Sequence, residues 1–168
     1  MRNQLFIVLI TMALIMSLSA GEKVNFAGDW SFSEEKSTLD EMGRAFIQTK
    51  MSVIQSENDM TIAKTFETPD QGEVVGEEKL TLDGKECKSE IWGGTPRVST
   101  ANWNEAGDVL KIASKITFER DGQPSTMDLD EEWSLSEDGK LLTIKHSSTS
   151  DWGERNITMV FGKVEKEK

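Results

Sequence analysis

Four polar residues in the C-terminal half of the chain are in phase with apolar neighbours. Because successive side chains of a β-strand point to opposite faces, a polar residue two positions from an apolar one shares its face. Ser114, Glu131, His146 and Arg155 all meet this condition. If their segments are strands of a barrel, they lie on an otherwise apolar inner wall. A few polar groups on an apolar wall are typical of a site that orients one end of a small molecule.

The carboxylate of Glu131 needs a partner, because a buried charge is costly unless it is paired or hydrated. Arg155 could supply that partner, or could hold a ligand carboxylate with its bidentate guanidinium. The alternative is that β-bulges shift the phase, or that these groups lie at a solvated barrel mouth. Trp152, beside Gly153 in a predicted loop, is a candidate for contact at the rim. The predicted ligand-binding residues are Arg155, His146, Glu131, Ser114 and Trp152.

The sequence favours a binding protein over an enzyme. It has one His, His146, and one Cys, Cys87, and we find no nucleophile triad, phosphate loop or metal-ligand cluster. We therefore predict no catalytic residues, no metal and no cofactor, although a Cys87–His146 nucleophile remains formally open. Asp128, Asp130 and Glu132 share one face, but they lack the glycine and final glutamate of an EF-hand loop and indicate a solvated surface.

The segments that carry these residues read as strands joined by tight turns. Turn signals such as Asp83-Gly84 recur roughly every 8 to 14 residues, the spacing expected of an all-β sandwich or barrel. Hairpin-length connections favour an up-and-down meander over a Greek key. We predict a single antiparallel up-and-down β-barrel of about 8–10 strands. One short helix is predicted near residues 38–48, with Ser37 or Thr38 as its cap and Leu39, Met42 and Phe46 near one face.

The first twenty residues read as a cleaved export signal. Arg2 precedes an apolar run of about a dozen residues, too short to span a bilayer, and small residues lead to Ala20. The predicted organisation is a signal peptide over 1–20 and one domain over 21–168, with no membrane span after processing. We expect a secreted or periplasmic protein. The net charge of −11 argues against nucleic acid as a partner, since the protein and the phosphate backbone are both negatively charged and repel each other.

The stretch Asn25-Phe26-Ala27-Gly28-Asp29-Trp30, ahead of a β-meander, resembles the Gly-x-Trp opening of lipocalins and their calycin relatives. With Glu35-Lys36-Ser37 and the turn Ser136-Glu137-Asp138-Gly139-Lys140, it is similar to small exported bacterial proteins with lipocalin-like domains. The resemblance implies a β-barrel with Trp30 packed at one end. The chain has no Tyr and so lacks the Thr-Asp-Tyr motif of typical lipocalins. Arg155 and Lys163 are the nearest candidates for the cation that covers the first-strand Trp in that family.

A strand count near ten would instead resemble fatty-acid-binding proteins, in which inward arginines on late strands hold a carboxylate. Either resemblance implies a small barrel with a possible hydrophobic or amphipathic ligand inside. The oligomeric state stays open. The first functional hypothesis is therefore lipid or other small-ligand binding within the barrel. The second is a filled barrel that serves as a structural or protein-interaction domain. An internal cavity of several hundred cubic ångströms would favour the first.

Overall fold

Ten antiparallel strands make up almost all of the fold. A computed structural model describes residues 23–91, 94–120 and 122–165, so the predicted signal peptide over 1–20 lies outside the described residues. The strands are β1 (Gly28–Phe32), β2 (Gln48–Gln55), β3 (Asp59–Thr68), β4 (Gly72–Thr81), β5 (Cys87–Ile91), β6 (Thr95–Trp103), β7 (Val109–Arg120), β8 (Gln123–Leu135), β9 (Leu141–Ser150) and β10 (Gly153–Lys163). The prediction of a barrel of about 8–10 strands is confirmed.

The strands form one sheet in the order β4-β3-β2-β1-β10-β9-β8-β7-β6-β5. Consecutive strands are hydrogen-bonded neighbours, as the short turns predicted, with the exception of β4 and β5. Strand β1 joins the two parts of the sheet by pairing with both β2 and β10. Within the described residues no backbone ladder joins β4 to β5, the two ends of this order. We call this interruption the seam. It makes the barrel nearly, but not fully, closed.

One half of the barrel interior, which we call the closed half, is filled by large aromatic side chains. Trp30, Phe26, Trp133 and Phe161 are fully or almost fully buried. The Phe26 ring stacks on Trp103 at 5.8 Å and meets Trp133 edge-on at 5.8 Å. The indole Nε1 of Trp30 donates to the Phe26 carbonyl oxygen at 2.9 Å, so its one polar atom is satisfied. The predicted core position of Trp30 is confirmed.

Lys163 is the cation that covers the first-strand Trp. Its Nζ lies 5.2 Å from the centre of the Trp30 ring, within the range of a cation–π contact. Gly28 has a φ of +140°, and a Cβ atom there would lie 3.0 Å from Lys163 Cε. Glycine at this position therefore provides both the backbone conformation and the space for the lysine.

The helix predicted near residues 38–48 is not formed, and this part of the prediction is wrong. Thr38 makes an isolated bridge to Thr158, and residues 41–46 are successive turns with Asp40–Gly43, Met42–Ala45 and Arg44–Ile47 backbone hydrogen bonds. Gly43 and Phe46 have positive φ, at 57° and 62°, which breaks helical geometry twice. The described helical element with defined bounds is a 3-10 turn, Glu34–Lys36. No helix among the described residues has the length and apolar character needed to cross a membrane.

Candidate functional site

A layer of charged side chains crosses the middle of the barrel, directly beneath the aromatic packing of the closed half. Lys64 of β3, Glu78 of β4, Arg97 of β6 and Glu131 of β8 are all buried. We call these four residues the charge layer. Buried charges are costly unless they are paired, so the contacts within the layer decide whether it stabilises the fold.

Strand register brings these residues to one level. Each lies in phase with buried apolar positions, since Lys64 follows Met60 and Ile62, and Glu78 precedes Leu80. Ser99 of β6 pairs with Ser114 of β7, and Glu131 of β8 pairs with His146 of β9. Side chains two positions apart on a strand share a face, so these polar side chains point inward with their buried apolar neighbours.

Arg97 joins the two sides of the seam. Its Nε donates to Ser99 Oγ at 3.1 Å and its Nη2 donates to Ser114 Oγ at 2.8 Å. Its Nη1 lies 3.1 Å from Glu78 Oε2 across the seam. Ser99 Oγ also donates to Glu78 Oε1 at 2.7 Å. Side chains therefore connect β4 to β6 at a level where the backbone ladder between β4 and β5 is missing.

Glu131 is held by three neighbours. Its Oε2 accepts from Trp133 Nε1 at 3.1 Å and lies 3.5 Å from Lys64 Nζ, while its Oε1 lies 3.6 Å from His146 Nδ1. Burial by itself raises the pKa of Glu131, but the Lys64 ammonium, the His146 side chain and the Arg97 charge together outweigh it. The pKa of Glu131 therefore lies well below its usual range. The carboxylate stays ionised inside the barrel at neutral pH.

Among the described residues, three buried side-chain atoms have no hydrogen-bond partner. One is Trp103 Nε1, and the other two, Glu78 Oε2 and His146 Nδ1, lie near the layer. The contact of Glu78 Oε2 with Arg97 is an ion pair whose geometry is not that of a hydrogen bond, and Lys64 Nζ is 3.8 Å away. One of these atoms is an acceptor and the other is an imidazole nitrogen that can donate or accept. The layer thus keeps hydrogen-bonding capacity of both kinds.

On the other side of the charge layer lies what we call the open half of the barrel. Its inward-facing positions include Phe66, Ile116, Phe118 and Met127, which are apolar but only half-buried. Ser148 and Ser150 of β9 lie among them by register and are also half-buried. Ile116 is the cross-strand partner of Arg97, so this partly exposed apolar wall adjoins the charge layer.

Exposed apolar side chains surround the entrance to the open half. Trp152 is 60% exposed and stacks on Phe118, with ring centres 4.9 Å apart and planes 11° apart. Met42 and Phe46, in the turns that replace the predicted helix, are 53% and 71% exposed. The structure therefore places Trp152 at the rim, where the sequence predicted it.

Arg155 does not pair with Glu131, and that suggested pairing is wrong. Its Nε and Nη2 donate to the two carboxylate oxygens of Asp40 at 2.8 and 3.2 Å. Its Nη1 donates to the Ala45 carbonyl oxygen at 2.8 Å, and Nη2 also donates to the Gly43 carbonyl oxygen at 3.0 Å. The guanidinium holds the turns over 40–46 against the end of β10. Its partners are nearby in space but more than a hundred residues away in sequence, so strand phase could not identify them.

Depressions of about 420 and 300 Å³ lie on the barrel surface and are both open to solvent. The larger crosses β8, β9 and β10, and its lining is mostly outward-facing, including Asp130, Glu132, Lys145 and Asn156. The smaller lies over the hairpin of β5 and β6. Among the described residues, no group of three or more His, Cys, Asp or Glu side chains could hold a metal ion.

The structure brings three of the five predicted site residues together: Glu131, His146 and Ser114 belong to or border the charge layer. Trp152 lies at the rim and Arg155 at the end of β10. Sequence reasoning missed Lys64, Glu78, Arg97 and Ser99. Lys64 was detectable because it is in phase with Met60, Ile62 and Phe66, whereas Arg97 and Glu78 sit on strands with few apolar residues to mark the inner face.

One solved structure supports the architecture independently. The zebrafish ileal bile acid-binding protein, in complex with cholic acid, matches with a TM-score of 0.54 and 19% sequence identity. The match covers 83% of this chain and 98% of that one. No protein-family model and no curated protein sequence matches the chain. The chain has the calycin type of fold, a nearly closed ten-stranded barrel.

Proposed function

We propose that this protein binds a small amphipathic molecule in the open half of its barrel. The observation that carries the proposal is a half-buried apolar wall beside the charge layer, two of whose neighbouring buried polar atoms have no hydrogen-bond partner. The wall consists of Phe66, Ile116, Phe118 and Met127. Burial of a ligand tail against that wall would stabilise the complex by about 25 cal/mol for each Å² of apolar surface removed from water. The fold shared with a protein solved with cholic acid is consistent with this use.

The proposed activity is binding, not catalysis, at a location outside the cytoplasm. The sequence has one His and one Cys, and His146 faces Glu131 inside the barrel. The residue pattern over 1–20 supports export. N-terminal sequencing of protein recovered from the medium or periplasm of a secreting host tests this part. A mature chain that begins at residue 20 or 21 is expected, and one that retains Met1 contradicts export.

Native mass spectrometry of the full chain purified from its own host tests ligand binding. A co-purifying small amphipath that is lost on unfolding is the expected result. A bare protein mass, together with no thermal shift across a panel of lipids, would contradict the proposal.

The second candidate is a filled barrel with a structural or interaction role. The observation that favours it is the pairing within the charge layer. Its two cations, Lys64 and Arg97, form ion pairs with its two carboxylates, Glu78 and Glu131, without a ligand. The same mass-spectrometry experiment separates the two candidates, because a filled barrel carries no ligand and gains no stability from lipids.

A further inference from the structure

We infer that the polar end of the ligand is an uncharged group rich in hydroxyls or amides, and not a carboxylate or other anion. This inference rests on the proposed function and specifies the class of molecule that the open half accepts. It follows from three observations: the equal number of positive and negative charges in the layer, the protein contacts that already occupy the arginine side chains, and the buried polar atoms without hydrogen-bond partners.

The charge layer has no excess of positive charge for an anion. Its two cations, Lys64 and Arg97, face two carboxylates, Glu78 and Glu131, with N–O distances of 3.1 to 3.8 Å. Because Glu131 remains ionised at neutral pH, an entering carboxylate would meet two buried negative charges as well as two positive ones. Placing like charges together in a buried site costs several kcal/mol.

Both arginines near the interior already use all three of their nitrogens. Arg97 contacts Ser99, Ser114 and Glu78, and Arg155 contacts Asp40 and the carbonyl oxygens of two residues in the turns over 40–46. Of the other arginines, Arg44 is exposed and lies 3.7 Å from Glu34. A bidentate guanidinium–carboxylate contact needs two parallel free donors, and Arg155 already makes such a contact with Asp40. The arrangement that would hold a carboxylate is therefore occupied by the protein's own groups.

The atoms that do lack partners suit a hydroxyl or amide. Glu78 Oε2 can only accept and His146 Nδ1 can accept or donate, so a hydroxyl or amide has the donor that the first atom needs and can bond to the second in either direction. A carboxylate cannot donate to Glu78. Satisfying a buried unpartnered polar atom contributes more than forming a new exposed hydrogen bond, because the desolvation cost of that atom is already present.

Two probes with the same tail test the inference in the full-length mature chain. Laurate and 1-monolauroylglycerol share a twelve-carbon acyl chain and differ in whether the polar end is charged. Their dissociation constants are measured by isothermal titration calorimetry at pH 8, below their micelle concentrations. We expect monolauroylglycerol to bind more tightly by on the order of tenfold or more, given the cost of a buried like charge.

A Glu78→Gln variant tests the cause. It removes one carboxylate from the layer and leaves Arg97 opposite a neutral amide, so laurate should bind on the order of tenfold more tightly while monolauroylglycerol changes little. Glu77→Gln is the matched control, because Glu77 precedes Glu78 on β4 but points outward and pairs with Lys79 at 3.1 Å. It should leave both affinities unchanged. Circular dichroism confirms that each variant is folded, and the wild-type comparison needs no variant at all.

The outcomes separate this inference from the proposal beneath it. If wild-type protein binds laurate as tightly as monolauroylglycerol, or more tightly, the inference is overturned while ligand binding stands. If the wild type prefers monolauroylglycerol but folded Glu78→Gln gains no affinity for laurate, charge balance is not the reason for the preference. If neither probe binds and the protein from its own host carries no ligand, the proposed function itself is contradicted.

Discussion

The closed half and the open half of the barrel bury their inward side chains in different ways. In the closed half, aromatic rings fill the interior and the indole of Trp30 hydrogen-bonds to the Phe26 carbonyl. In the open half, apolar positions such as Ile116 and Met127 stay half-exposed, and the buried groups beneath them are charged. Tight packing is therefore concentrated on one side of the charge layer, and the partly exposed apolar positions lie on the other.

Truncation in the closed half should cause the largest loss of stability. Trp30→Ala removes a buried indole and its hydrogen bond, and we expect the free energy of unfolding to fall by about 4 kcal/mol. Urea denaturation followed by circular dichroism measures the loss. Trp152→Ala is the control, because its ring is 60% exposed at the rim of the open half, and it should cost less than about 1 kcal/mol. Equal losses for the two variants would contradict the comparison.

Breaking the charge layer should have the next largest effect. Lys64→Met removes a buried cation and leaves Glu131 without its main positive neighbour, at a cost of about 3 kcal/mol at pH 7. Lys111→Met is the control, since Lys111 pairs with the adjacent Glu132 at 3.1 Å on the outer face. An exposed pair of that kind contributes about 0–1 kcal/mol.

The pH dependence of the same variant gives a further prediction. In the wild type the folded-state pKa of Glu131 is lowered, so its contribution is present above the ordinary carboxyl pKa of 4.5 and is lost as pH falls through the lower folded value. Without Lys64 the largest charge that opposes the effect of burial is gone, so the folded pKa of Glu131 rises above its wild-type value, and protonation relieves the uncompensated charge at a higher pH. The deficit of Lys64→Met relative to wild type should therefore shrink between pH 7 and pH 4. A deficit that grows on acidification would contradict this pairing.

Loss of the Arg155 contacts should act locally at the rim. Arg155→Leu removes the hydrogen bonds to Asp40, Gly43 and Ala45, and we expect a loss of about 2 kcal/mol, as for bonds to charged groups. Hydrogen exchange of amides over 40–47 should accelerate while amides of β7 and β8 remain protected. If exchange accelerates equally in all strands, Arg155 supports the barrel as a whole and not the turns alone.

The smallest effect is expected at the outer side of Trp30. Lys163→Met keeps the aliphatic stem but removes the ammonium above the ring, at a cost of about 0.5–1 kcal/mol. Thermal denaturation at low and high salt checks this, with Lys145→Met on the outer face of β9 as the control. The two variants should differ in melting temperature at both salt concentrations.

Strand positions were predictable because alternation and turn residues are local properties of the sequence. The inward orientation of Glu131, His146 and Ser114 followed from the same alternation. The pairing of Glu131 with Lys64 could not be predicted from alternation, because Lys64 is 67 residues away and meets Glu131 only when the sheet curves into a barrel. The turns over 40–46 were mistaken for a helix because local spacing favoured one, whereas contacts with Arg155 and the positive φ values at Gly43 and Phe46 decide the observed conformation.

The position of β1 between β2 and β10 has a consequence for the folding rate. Trp30 is paired with Met51 on one side and with Lys163 on the other, so the ladder between β1 and β10 joins residues from opposite ends of the folded domain. The entropy cost of closing such a loop grows with the logarithm of its length, and folds dominated by distant contacts fold slowly. The barrel therefore cannot be completed on the ribosome before β10 has emerged, and until then β1 has a free edge.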